Sequence, residues 1–128
     1  MKKRILFVLI IICVALLSAC STTPTTPEEV LLAFNESMDN DNLDEAMLYI
    51  ADDVYFKFLS ETLYTSKDEL VDFLELYMVL YSDSKLINLE TDGNVVNATL
   101  ELKGLGDMVL LGPLKVVVEN NQITEYIF

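Results

Sequence analysis

Two adjacent carboxylates, Asp52 and Asp53, are the residues of this 128-residue chain best suited by type to move a proton. An Asp buried with a raised pKa takes a proton from a carbon next to a carbonyl. The same acidic pair at the end of an apolar stretch is also ordinary turn chemistry. The chain has no His, and its one Arg is Arg4, so nothing beyond that position supplies an imidazole base or a guanidinium to polarise a substrate oxygen. Tyr49, Tyr55, Tyr64 and Tyr126 remain as polar handles, a role that half-buried tyrosines often lack. The run Asp39-Asn40-Asp41-Asn42 begins like a calcium loop. It then places Leu43 at the fifth position, Asp44 where glycine is required and Ile50 where the bidentate Glu belongs, so it reads as a solvated turn. Ligand sets for zinc or haem, a glycine-rich phosphate loop and a nucleophile elbow are all missing, and the sequence implies no metal and no cofactor.

One thiol remains. Lys2, Lys3 and Arg4 precede a 13-residue apolar run, Ile5 to Leu17, which is short for about 30 Å of hydrocarbon. Leu17-Ser18-Ala19-Cys20 follows, with small residues where a peptidase must reach the backbone. This stretch resembles the lipobox of bacterial lipoproteins. The resemblance implies a signal peptide over residues 1–19, diacylglycerol on the Cys20 thiol, and a domain exported and anchored to a membrane of the cell envelope. An uncleaved N-terminal membrane helix is the alternative. Acyl chains anchor through about 0.8 kcal/mol per buried CH₂. Cys13 would leave with the signal, so no internal disulfide can form. Residues 20–26 form a Thr/Pro tether reaching at most about 20 Å.

Without the signal, five Lys face 21 acidic residues, a net charge of −16. Such a surface repels phosphate backbones and anionic headgroups, which excludes nucleic acid as a partner and a role lying flat on the bilayer.

The elements that would position these residues lie in 27–128, a length suited to one domain. Thr26-Pro27-Glu28-Glu29 starts a helix, with Val30, Leu31, Phe34 and Met38 on one face as far as 37–39. Asn42 and Glu45 cap a short second apolar face at Leu43, Ala46, Met47 and Ile50, which Ala51-Asp52-Asp53 ends. Val54, Phe56 and Phe58 alternate as a strand. Ser66 to Glu69 caps a helix over 67–81 with Leu70, Phe73, Leu74, Tyr77, Met78 and Tyr81 on its face. Antiparallel strands follow at 86–90, 95–102, 108–119 and 122–128. Asp92-Gly93 and Asn120-Asn121 are the turns, and a bulge or bend is expected at Gly112-Pro113.

Pro27, Val30 and Phe34, then Asp41, Leu43 and Ala46, then Ala51 to Val54 with Phe56, then Ser66 to Leu70, and the closing Val118 to Ile123 pair stand in a recognisable order. Together they resemble the nuclear transport factor 2-like superfamily, with its SnoaL-like and limonene-epoxide-hydrolase-like members. The resemblance implies an α+β fold in which a curved antiparallel sheet wraps N-terminal helices into a cone. A pocket would be lined by Phe34, Met38, Phe56, Tyr77, Met78, Ala98, Leu100, Val116 and Tyr126. The same apolar stripes describe a filled core equally well, and a filled core is the favoured expectation. The epoxide-hydrolase branch resembles an Asp-Arg-Asp arrangement, which this domain lacks for want of Arg. The expected function is therefore a lipid-anchored, non-enzymatic domain that binds a small apolar ligand or a protein partner. A SnoaL-like enzyme using Asp52 or Asp53, and a structural module that pairs as a homodimer through its sheet, are the alternatives.

Overall fold

The computed structural model describes residues 23–59 and 62–128. The expected signal peptide, residues 1–19, and Cys20 lie outside the described residues. No helix among those described is long and apolar enough to cross a membrane.

Among the described residues three helices and six strands follow in the order α1 (Pro27–Asp39), α2 (Leu43–Leu48), β1 (Ile50–Phe58), β2 (Thr62–Tyr64), α3 (Lys67–Leu80), β3 (Tyr81–Asp92), β4 (Val95–Gly104), β5 (Val109–Glu119) and β6 (Gln122–Ile127). Each helix starts where a side chain can take an orphan N–H. Thr26 Oγ1 accepts from Glu29 N at 3.2 Å, and Ser66 Oγ accepts from Glu69 N at 3.3 Å. Asn42 and Glu45 reciprocate: Oδ1 accepts from Glu45 N at 3.2 Å while Nδ2 donates to Glu45 Oε2 at 2.8 Å.

The strands form one open sheet in the order β2-β1-β6-β5-β4-β3. It is mixed, because β1 runs parallel to β6 while every other pair is antiparallel. The alternation within each strand sets which face is buried but not the direction of a neighbour that is distant in sequence. Register shifts at Ile50/Tyr55, Tyr81/Asp83, Ile87/Glu90 and Val117/Val118 bend the strands, and the sheet curves around α1 and α3. No shift falls at Gly112-Pro113, where a bend was expected. Leu100 pairs with Gly112 and Thr99 with Pro113 in unbroken register. The β6 pairing stops at Lys115, so Pro113 has a neighbour on one side only and its missing N–H interrupts no second ladder.

The core joins Val30, Leu31, Phe34 and Met38 of α1 and Leu70 and Leu74 of α3 to the inner side chains of β1, β4, β5 and β6. Every core residue among those described lies at position 30 or beyond, so a chain starting at Ser21 carries all of them.

Candidate functional site

The concave side of the sheet meets α1 and α3 at an aromatic cluster. Phe56 and Tyr126 are register partners across the parallel pair, and their rings stack at 4.4 Å with planes 3° apart. Phe34 closes on Tyr126 edge-on at 6.1 Å. Phe73 of α3 lies 5.9 Å from Phe56 and 5.4 Å from Phe58, and Tyr77 lies 5.8 Å from Phe58. Each such pair adds about 0.5–1.5 kcal/mol beyond its buried area.

What remains is a cavity of about 10 Å³, lined by Phe34, Asn35, Met38, Phe56, Leu74, Tyr77 and Tyr126. That is room for about one water. Five of the residues expected to line a pocket thus meet there: Phe34, Met38, Phe56, Tyr77 and Tyr126. The others do not. Leu100 and Val116 are fully buried in the core, Ala98 is buried on β4, and Met78 packs half-buried against the core. Asn35 and Leu74 were not expected. Asn35 follows Phe34 on α1 and stands four residues before Asp39, a spacing that puts two polar groups side by side on a helix.

At the rim of this cavity, Ser84 of β3 joins α1. Ser84 Oγ stands 2.8 Å from Asn35 Oδ1 and 2.6 Å from Asp39 Oδ1. Burial pushes the Asp39 carboxyl above its usual range, and the charges of Asp83 and Asp41 push the same way against the Ser84 hydrogen bonds. Burial also raises the Tyr77 phenol, with added repulsion from Tyr126, Asp39 and Tyr81, and burial alone raises Tyr126. Both phenols are therefore neutral at physiological pH. Asp39 is a proton acceptor in kind, but it is an exposed residue and does not line the cavity.

Asp52 and Asp53 stand elsewhere. Both are exposed within β1, in the stretch where its register against β6 shifts. Lys67 Nζ reaches Asp52 Oδ1 only at 3.9 Å, and the Asp52 side chain is 99% exposed. They do not end the apolar stretch as a turn, because β1 already begins at Ile50. Neither borders the cavity. The Asp39–Asn42 run is the turn between α1 and α2, with Asp41 in the left-handed region at φ 55°. Among the described residues no group of three or more His, Cys, Asp or Glu is gathered as a metal site.

Two hollows lie on the surface where the described chain begins. One of about 490 Å³ is bordered by Thr23, Pro24, Leu48, Tyr49 and the 120–122 turn. The other, about 310 Å³, lies between Pro24, Tyr49 and the polar side of α1 and α2.

The sequence matches no protein-family model and no curated protein. Solved structures do match. An NTF2-like protein of unknown function from Cytophaga hutchinsonii is 14% identical with a TM-score of 0.70, over 82% of this chain and 89% of that one. A candidate polyketide cyclase from Xanthomonas campestris is 19% identical with a TM-score of 0.65, over 79% and 87%. A candidate ketosteroid isomerase from Kribbella flavida is 16% identical with a TM-score of 0.70, over 79% and 74%. At these identities the likeness is one of fold, and the fold of this chain is the nuclear transport factor 2-like fold with a curved, unclosed six-stranded sheet.

Proposed function

We propose that this chain is a lipid-anchored domain of the bacterial cell envelope that works by docking a protein partner and not by catalysis. The observation that carries the choice is the filled interior: stacked aromatics leave about 10 Å³ where a ligand or substrate would sit. The exposure of Asp52 and Asp53 supports it, since neither can act as a buried general base. The Leu17-Ser18-Ala19-Cys20 sequence supports the anchor.

Two measurements test this. Native mass spectrometry of residues 21–128 is expected to give the bare polypeptide mass; a small molecule released on denaturation would overturn the filled interior. An alkyne fatty acid fed to cells making the full chain is expected to label it, and Cys20→Ala is expected to abolish the label. Equal labelling of that variant would remove the anchor.

A second reading, a homodimer through the outer sheet face, is favoured by the placement of charge. Lys57, Lys85, Lys103 and Lys115 all lie on that face, by alternation with buried neighbours. There Lys85 pairs with Glu101, Lys103 with Asp83, and Lys115 Nζ reaches Glu125 Oε1 at 3.3 Å. The three helices carry ten carboxylates and one cation, Lys67. The sheet face is the side that a second copy could approach with the least repulsion.

A further inference from the structure

Most of the large exposed apolar side chains lie toward one end of the domain, with Leu32, Leu48 and Tyr55 elsewhere. β1 and β6 run side by side from Ile50 and Ile123 toward Phe58 and Phe128, and Phe128 O accepts from Leu59 N at 2.7 Å. β5 runs the other way, so its start at Val109 lies beyond the end of β6 while the 120–122 turn lies at the opposite end. The β4–β5 loop at that far end is closed by Gly104 N donating to Met108 O at 2.8 Å. It abuts the last turn of α3: the Leu80 carbonyl oxygen lies 3.4 Å from where a Cβ on Gly104 would stand. On this tip Leu76 is 55% exposed, Val79 69%, Leu105 65% and Met108 44%. The described N-terminus, Thr23 and Pro24, borders Leu48, Tyr49 and the 120–122 turn at the other end. A chain anchored through Cys20 would hold the apolar tip away from its own membrane.

The tip continues into an acidic stripe. Asp68, Asp72, Glu75, Leu76 and Val79 follow at intervals that put them on one exposed side of α3. Its first turns are acidic and its last turn apolar. A clustered apolar surface rimmed by charge marks an interaction site. The charge selects the occupant, because an anionic partner would be repelled and a cationic one drawn in.

We infer that this tip and stripe bind a protein partner that presents a cationic amphipathic helix. Its apolar side covers Leu76, Val79, Leu105 and Met108, and its Lys or Arg side chains reach Asp68, Asp72 and Glu75. The inference rests on the partner-docking function proposed above and names the surface and the chemistry of the partner.

The test uses residues 21–128 and a labelled Leu/Lys amphipathic helix of about 18 residues, long enough to be helical in water. A scrambled peptide of the same composition and a Lys-to-Glu peptide are the controls, with fluorescence anisotropy at low and high salt as the readout. Binding is expected for the amphipathic peptide alone, weakened by salt. Leu76→Ser with Val79→Ser, and separately Asp72→Asn with Glu75→Gln, should each weaken it by about tenfold or more. All four positions are exposed, and unchanged circular dichroism of the variants shows that the fold is kept. Equal binding of the scrambled peptide would reduce the effect to bulk charge and overturn the inference. So would an absence of binding, or a dimer in peptide-free solution that Leu76→Ser with Val79→Ser abolishes, which would make the occupant a second copy. A partner crosslinked to the full chain in cells, and still crosslinked in the Leu76→Ser, Val79→Ser variant, would sink this surface and leave the docking function standing.

Discussion

Phe56 and Tyr126 lie opposite each other on parallel strands, ring on ring at 4.4 Å, and the pair meets Phe34 of α1 and Phe73 of α3. Tyr126 is 5% exposed and Phe56 2%. Tyr126→Ala should therefore cost about 3–5 kcal/mol in urea unfolding, the usual penalty for truncating a core aromatic. Tyr126→Phe keeps the stack and the volume, and should stay within about 1.5 kcal/mol of the parent. The truncated protein gains a void lined by Phe34, Phe56 and Leu74, and should take up benzene, as dry engineered cavities do. Benzene-dependent raising of the melting temperature in Tyr126→Ala, absent from the parent, is the check on whether the interior is filled.

Much of this architecture is legible from local signals, because caps and alternation act over three or four residues. Thr26, Asn42 and Ser66 start their helices as the sequence indicates. Other features depend on distant partners. Asp52-Asp53 breaks the alternation of β1 and looks like a terminator, yet a register shift against β6 lets both point to water while the strand continues. The first residues of β3 are polar, and no loop separates them from α3, since Tyr81 is already extended directly after Leu80. β2 is three residues long and exists only by pairing with β1. The clasp at Ser84 joins residues 45 and 49 positions apart, which no pattern within one element reveals. Whether the apolar stripes enclose a pocket or fill it depends on ring positions drawn from α1, β1, α3 and β6 together.

Asp39 carries a pH signature. Its folded pKa lies above the ordinary 3.8, mainly through burial, so its ionised form destabilises the fold. That penalty is complete above the folded pKa, is relieved as the pH falls through it, and is gone below 3.8. Asp39→Asn keeps a hydrogen-bonding group for Ser84 and removes the charge. Its urea midpoint should exceed that of the parent at neutral pH, with the gain shrinking as the pH is lowered and vanishing in acid. Ser84→Ala removes the side-chain hydrogen bond that favours the carboxylate, keeps the backbone one, and should move the Asp39 titration further up, as read by carboxyl carbon chemical shifts.

Asn42 satisfies two groups at the start of α2, a helix of only six residues. So short a helix is held by its caps and packing and not by propagation. Asn42→Ala should lower stability by about 1 kcal/mol, while Asn42→Asp, which retains the oxygen facing Glu45 N but loses the donor to the Glu45 carboxylate, should recover only part of it. Urea unfolding of the two variants side by side provides the comparison.

Asp52 and Asp53 make the clearest discriminating pair for catalysis. Their exposure means that Asp52→Asn and Asp53→Asn should leave the urea midpoint unchanged, and the 3.9 Å approach of Lys67 should add nothing measurable. If either were the base of an enzyme, its loss would abolish turnover of a ketone substrate without touching stability. The expected outcome is no turnover to abolish, because the parent should fail to exchange the α-protons of small ketones above the buffer rate.

The outer sheet face predicts how copies respond to salt. At a net charge of −16 for the chain from Cys20, two domains repel at low ionic strength whichever way they meet. Salt shortens that repulsion to about 8 Å at physiological strength, leaving the short-range contacts. Leu111, 63% exposed, and Tyr55, 41% exposed, lie on the face where Lys and acid alternate. Pairing through this face should therefore strengthen as salt is added, opposite to an assembly held by ion pairs. Sedimentation of residues 21–128 should show the mean mass rising with both concentration and salt. Leu111→Glu should hold the protein monomeric under all of these conditions, and a variant that still dimerised would place the contact on another face.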